Sequence, residues 1–430
     1  MRRIDVLLVA ALVLSPMTGL RFGKIGPAEV LAAAWCVLAC LNARHPLVPG
    51  TLGKAWVVFF GILVAGTLHG VVVTPGSTTP TGLVTWAYLG IICVLGYSVL
   101  QGRTADQLNR LLAAIGGATT VWFAGLYVYS ITISTTFLGS RLWYGQRFAG
   151  GGDNPHQLAV MLSASIFINF RALLLARTAR QRAWWLLITA VTLVLGYLTA
   201  SATLLLAVGV VAALALFFLA LDRIGSRSGR VAFTTAVLMA AVVGVALLWD
   251  RVLGLAERFL DSDSNGWGRL TLWLDFNDVL DHVVLLGLGP GTYADGGDFE
   301  FHNSYLELAA MLGIPAALGL FVMLALTIRR LLRHWTLMTI VMVLLVYALP
   351  GFAIRRLSFW LIFALCLALA VALDRRDIAA ADPASPRRAT PTAPSPAHTR
   401  TVAGTGGEPG RGLSPRAARG TRPLSSPPLR

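Results

Sequence analysis

The sequence predicts an all-α, polytopic membrane protein of about twelve transmembrane helices, with one large outward-facing loop containing short helices. Three observations predict it. Of the 430 residues, 56% are hydrophobic and only 13% are charged, with a mean hydropathy of +0.71; a soluble domain carries about 25% charge. The apolar residues fall in runs near the ~20 residues that cross hydrocarbon. Arginines collect in alternate loops between those runs, the pattern that orients a chain in a bilayer.

Met1-Arg2-Arg3 ahead of the apolar run 4–20 resembles a signal peptide. A second run, 27–41, follows with no small-residue cleavage site between them, so the first is read as an uncleaved helix. Further runs lie at 54–73, 82–100, 108–133, 156–170, 183–199, 203–221, 231–249, 306–328, 335–349 and 357–373. The apolar stretch 183–221 is too long for one helix, and Thr199-Ala200-Ser201-Ala202-Thr203 marks a tight reversal within it. With the N-terminus in the cytoplasm, the inside loops are 42–53, 101–110, 171–182, 222–230 and 329–334, and they hold most of the loop arginines. The outside loops are then 21–26, 73–81, 134–155, 199–203, 250–305 and 350–356. This reading gives a multi-pass protein of the cell (inner or plasma) membrane with both termini cytoplasmic. Residues 1–373 form its membrane domain, and 250–305 is the large external, periplasmic loop. Residues 374–430 form a basic cytoplasmic tail; rich in Pro, Ser, Ala, Gly and Arg from 383 on, it is expected to be disordered because it has no core to bury. Its arginines either touch anionic headgroups or are simply solvated.

The formal net charge of +15 does not mark a nucleic-acid binder. The cations sit in short interhelical loops and the tail, with no soluble domain to carry a basic, aromatic-interleaved face. The four cysteines, Cys36, Cys40, Cys93 and Cys366, all lie in apolar runs, which predicts neither a disulfide nor a zinc site.

Three outward places hold arginines that the orientation rule disfavours. Arg147 precedes a glycine-rich turn that enters the next helix, with Pro155 fitted to a first turn and Asn154 to its cap. A helix start beside an arginine makes an anion site; the alternative is a loop re-entering the bilayer at headgroup level. Arg269 opens a short amphipathic segment, Leu270 to Leu280, and either joins a site or pairs with Asp261, Asp263 or Asp275. Arg355-Arg356 in the last outside turn face either an anionic lipid-linked substrate or phosphate headgroups. His302, ahead of the run 306–328, is the residue type that can change charge near neutrality and suits a general base, although a lone interfacial histidine is more often structural. Asn303 fits a helix cap, and Glu307, one turn further, is either paired or part of the site.

Arginine forks match diphosphate bidentately. No nucleotide fingerprint is present, because the glycines of Gly287-Leu288-Gly289-Pro290-Gly291 do not link a strand to a helix. An activated substrate would therefore bring its own energy.

Taken together, Gly268-Arg269-Leu270-Thr271-Leu272-Trp273, then Gly287-Leu288-Gly289-Pro290-Gly291-Thr292, then His302-Asn303-Ser304-Tyr305-Leu306-Glu307 with Gly313 beyond, resemble the O-antigen ligase / O-antigen polymerase (Wzy-like) family. The resemblance is strongest over 141–326. It implies a polytopic, inverting, metal-independent glycosyltransferase that needs no cofactor. Such an enzyme moves a glycan from a polyprenyl diphosphate carrier to a hydroxyl of a glycan, lipid or protein acceptor at the outer membrane face. Carried over, Arg269 matches the late-loop arginine on the diphosphate, His302 the histidine that activates the acceptor, and Arg147 an earlier basic position. Two departures stand out. A Ser-Arg pair expected in the small outer turn reads Ser201-Ala202, which removes one diphosphate contact unless Arg147, Arg355 or Arg356 replaces it. The glycine pair after the histidine reads Gly313-Ile314-Pro315-Ala316. The other readings are a transporter or lipid-linked glycan flippase, disfavoured by charge-poor spans, and a non-catalytic scaffold of polysaccharide assembly.

Overall fold

The computed structural model describes residues 2–21, 25–43, 50–73, 79–251, 286–287, 303–351 and 353–381. These belong to a compact unit, 1–381. In chain order it contains α1 (Asp5–Leu14), a 3-10 turn (Thr18–Leu20), α2 (Pro27–Leu41), α3 (Gly50–Val73), α4 (Thr79–Gln101) and α5 (Ala105–Thr132). Two small antiparallel hairpins follow: β1 (Thr136–Phe137) with β2 (Ser140–Arg141), and β3 (Trp143–Tyr144) with β4 (Arg147–Phe148). Then come α6 (Pro155–Leu175), α7 (Ala179–Leu198), α8 (Ala202–Arg223) and α9 (Arg227–Leu247). The described chain ends with α10 (Ser304–Leu312), α11 (Ile314–Leu331), α12 (Trp335–Ala348) and α13 (Leu357–Ala381).

The fold is all-α and polytopic. Among the described residues 8 helices (α3 to α8, α11 and α13) are long and apolar enough to cross a membrane, and α1, α2 and α12 are shorter apolar helices. Every apolar run read from the sequence is helical, with three differences. Run 4–20 is helical only to Leu14 before turning. Run 306–328 is two helices, broken at Gly313, whose φ is +87°. Pro315 lacks an amide hydrogen and its ring opposes the Met311 carbonyl, so one continuous helix is blocked there. The last run continues past 373 to Ala381. Its extension is held by Asp374, which bonds Arg330 (2.8 Å) and His334 (3.0 Å), and by Arg375, whose guanidinium donates to the Gln101 carbonyl (3.1 Å).

Local sequence fixes most helix starts. Asn154 Oδ1 accepts from the His156 amide at the head of α6, with Pro155 in the first turn. Thr104 with Gln107 and Thr178 with Gln181 form capping boxes on α5 and α7. The reversal between α7 and α8 is as tight as the sequence predicts. Ala200 turns it at φ +46°, and Ser201 Oγ caps α8 by accepting from the Leu204 amide.

Packing sorts the helices into centre and rim. The apolar windows of α13 and α6 are 94% and 78% buried, against 22% for α7 and α8, so α13 and α6 form the centre of the bundle. α13 packs on α4, α5 and α12, while α6 packs on α5, α7 and α12. Trp56, Tyr97, Trp360 and Phe363 join α3, α4 and α13, with Trp56 stacked on Tyr97 at 5.7 Å. Rings bury much apolar area while keeping preferred edge or stacked geometry. Asn169 of α6 donates to Thr120 of α5 (3.1 Å) and Thr192 of α7 (3.0 Å), a polar tie between helices where backbone groups satisfy only themselves.

Turns from distant parts of the chain meet at two ends of the bundle. One end carries Arg103 paired with Asp5 at 2.7 Å, both nearly fully buried. It also carries Arg171, which donates to Asn109 (3.0 Å) and Thr336, and the Asp374 cluster. Asp5 looks like a charge misplaced in the first apolar run; Arg103 compensates it from across the bundle. The opposite end carries Arg147, the α7–α8 turn, the start of α10 and the turn before α13.

Candidate functional site

At this second end the hairpin β3–β4 presents Arg147. Its register pairs Trp143 with Phe148 and Tyr144 with Arg147. Phe148 is fully buried, edge-on to Tyr127 and Trp143, which anchors the strand beside it. The following backbone is pinned as well, because the Ala149 and Gly150 amides both donate to the Leu142 carbonyl (2.9 and 3.1 Å). Arg147 reaches the α7–α8 turn, where its Nε donates to the Thr199 carbonyl at 3.0 Å. Among the described residues its two terminal amino groups meet no acceptor.

That contact bears on the gap noted in the sequence. Ser201-Ala202 supplies no arginine to this turn, and Arg147 brings a guanidinium to it from another part of the chain.

Next to Thr199 lies a cluster that sequence reasoning missed. His156 Nδ1 is 3.2 Å from Ser201 Oγ and 3.3 Å from Tyr347 Oη. Tyr347 Oη donates to the His156 carbonyl at 3.1 Å and lies 3.5 Å from Ser201 Oγ. Ser201 and Tyr347 are both buried to within 1% of full cover. The cluster joins α6, α8 and α12. The only sequence signals for it were a histidine in a helix's first turn and a tyrosine just before Pro350-Gly351.

The start of α10 forms the other half of the site. Asn303 Oδ1 accepts from the Tyr305 (3.0 Å) and Leu306 (3.2 Å) amides, confirming it as the cap. Ser304 Oγ donates to the Gly351 carbonyl and accepts from the Ala353 amide (3.1 Å). Tyr305 Oη donates to the Leu345 carbonyl at 3.0 Å. The buried Glu307 carboxylate pairs with Arg355, which also lies 3.3 Å from Met311 Sδ. Arg355 is therefore engaged with Glu307 in this structure. Arg356 is half-buried in the same turn, its amide donating to the Ala353 carbonyl at 3.0 Å.

Gly287 meets the far end of its own motif. Its φ is +73°, and a Cβ there would lie 2.5 Å from the Gly313 amide nitrogen. The His69 ring nitrogen Nδ1 is 3.1 Å from the Gly287 carbonyl oxygen. So Gly287, the helix break at Gly313 and α3 share one contact. Residues 347–351 connect the two halves: Tyr347 holds His156, and Gly351 holds Ser304. Arg269 and His302 lie outside the described residues, one of them directly before the Asn303 cap.

No curated protein matches the chain. Residues 185–321 match the family model described as O-antigen ligase (Wzy_C). The matched stretch includes Arg269, His302, Asn303, Glu307 and the α7–α8 turn, but neither Arg147 nor the Arg355-Arg356 turn. That match, on a helical fold with several candidate membrane spans, supports an O-antigen ligase, Wzy-like domain at residues 185–321.

Proposed function

We propose that this protein transfers a glycan from a polyprenyl diphosphate carrier to an acceptor hydroxyl at the outer membrane face. The family domain supports O-antigen ligase-like membrane glycosyltransferase activity in general. The observation that carries the finer reading is Arg147 at the α7–α8 turn, a cation delivered where the local sequence has none. Arg147 and Arg269 hold the diphosphate, and Arg356 is a further cation of the same end. Arg355, engaged by Glu307, holds the turn and α10 together.

In this reading the acceptor oxygen attacks the anomeric carbon while His302 takes its proton. The bond from that carbon to the phosphate oxygen breaks, and the polyprenyl diphosphate departs with both electrons. The arginines stabilise the charge that develops on the leaving oxygen. Inversion follows from a single displacement. The protein spans the cell membrane twelve times, with 1–373 as the glycosyltransferase domain and both termini in the cytoplasm. The arginine-rich end, with Arg177, Arg223 and Arg330, then faces the cytoplasm. In intact cells an impermeant maleimide is expected to label Leu138→Cys and to miss Gly225→Cys; the reverse pattern would invert the topology.

The functional test is complementation of cells lacking the protein by wild type, Arg147→Ala, Arg269→Ala or His302→Ala at equal membrane levels. Wild type restores surface glycan, and the Arg269 and His302 variants accumulate lipid-linked precursor. Arg147→Ala is expected to weaken donor use by about 10- to 100-fold, the scale of a charge-assisted contact. Normal surface glycan in all three variants would reject the assignment.

A further inference from the structure

The His156–Ser201–Tyr347 cluster has no role in the chemistry set out above, yet it lies against the turn that receives Arg147. We propose that Tyr347 and Ser201 are positioning residues that fix the α7–α8 turn so that Arg147 presents its guanidinium to a diphosphate. This rests on the reading of Arg147 as a diphosphate ligand and extends it to residues outside the motif.

The contacts form a short chain. Arg147 Nε is oriented by the Thr199 carbonyl at 3.0 Å. That carbonyl belongs to a reversal whose next residue, Ala200, adopts φ +46°, a conformation that disfavours any side chain and persists only when its surroundings impose it. Neighbouring side chains impose it. Thr199 Oγ1 donates back to the Gly196 carbonyl at 2.7 Å, closing the end of α7. Ser201 Oγ caps α8 and lies within 3.2 Å of His156 Nδ1 and 3.5 Å of Tyr347 Oη. Tyr347 donates its one hydroxyl hydrogen to the His156 carbonyl, which leaves its oxygen to accept from the imidazole or the serine. The turn is thereby tied to α6 and α12. A guanidinium bound through a single carbonyl is only as well placed as that carbonyl, so loosening the turn should cost diphosphate affinity without touching the arginine.

The test measures binding of farnesyl diphosphate to the full-length protein in lipid nanodiscs, with the melting temperature followed in parallel. Tyr347→Phe removes the hydroxyl and keeps the buried ring. It is expected to weaken binding by about fivefold, the effect of one lost hydrogen bond. Ser201→Ala is expected to do the same, and Ser201→Thr, which restores a capping hydroxyl, to recover wild-type binding. In an Arg147→Ala background Tyr347→Phe is expected to have no further effect, because it acts through that side chain. If Arg147→Ala weakens binding but Tyr347→Phe and Ser201→Ala bind like wild type, the positioning role is wrong and the diphosphate reading stands. Effects that add fully in the double variant also overturn it. If Arg147→Ala itself binds like wild type, the diphosphate reading falls and this inference with it. Should Tyr347→Phe lower the melting temperature, the Ser201→Ala and Ser201→Thr pair, which leaves the tyrosine in place, decides the outcome.

Discussion

Alanine in place of Arg355 is expected to destabilise the protein by about 3 kcal/mol, the lower part of the range for removing one partner of a buried ion pair. The lower part applies because the two partners differ in exposure: the Glu307 side chain is 2% exposed and that of Arg355 32%. The substitution takes away the cation that faces water and strands the carboxylate that does not. Glu307 sits in the first turn of α10, where the helix dipole favours an acid, but that is worth under about 1 kcal/mol. Glu307→Gln should recover most of the loss when added to Arg355→Ala, since the stranded charge is then gone. Unfolding midpoints in detergent for the two single variants and the double variant check this. A single Arg355→Ala variant as stable as wild type would mean that the pair does not hold the turn to α10.

Gly287→Ala is expected to cost roughly 2–4 kcal/mol, from a left-handed backbone and overpacking together. The methyl group would lie 2.5 Å from the Gly313 nitrogen and 2.6 Å from both the Leu312 nitrogen and the Met311 carbonyl carbon. All three are backbone atoms, so no rotamer change relieves the contact. Gly287 would have to lift off the break between α10 and α11 and give up its contact with His69. Because the same motif leads toward His302, glycan transfer should fall together with stability. Gly125→Ala is the control: no atom lies within 4 Å of its added carbon, and stability should be unchanged or slightly higher. Equal midpoints for Gly287→Ala and wild type would show that the contact with Gly313 is dispensable.

Much of this architecture was legible because it rests on local rules. Helix α2 occupies 27–41, as the apolar run indicates, with Pro27 in its first turn. Asn154-Pro155 and Asn303 start α6 and α10 as their capping chemistry requires, and the reversal at 199–203 follows from a run too long for one crossing. The break at Gly313 was readable in principle from Pro315, but the apolar run across it hid the signal. What could not be read is pairing at a distance. Asp5 is a defect in its own segment until Arg103 meets it, and past residue 373 the last helix is met by Arg330, His334 and the Gln101 carbonyl. The candidate site divides the same way. The residue types of Arg147, Asn303 and Glu307 mark them from sequence. Tyr347 is marked only by its place just before Pro350-Gly351, and its relation to His156 and Ser201 comes from the packing of α6, α8 and α12. Arg355 and Glu307 were both candidates for the site, and only their contact shows that they engage each other.

The most direct measurement reconstitutes the purified protein in liposomes with a synthetic polyprenyl diphosphate-linked glycan and a hydroxyl-bearing acceptor. It follows two products at once, the new glycosidic bond and the released polyprenyl diphosphate. Both products are expected in equal amounts, with His302→Ala and Arg269→Ala suppressing both and Arg147→Ala raising the donor concentration required. Movement of the lipid-linked glycan across the bilayer with no glycosidic bond formed would contradict the proposed transfer.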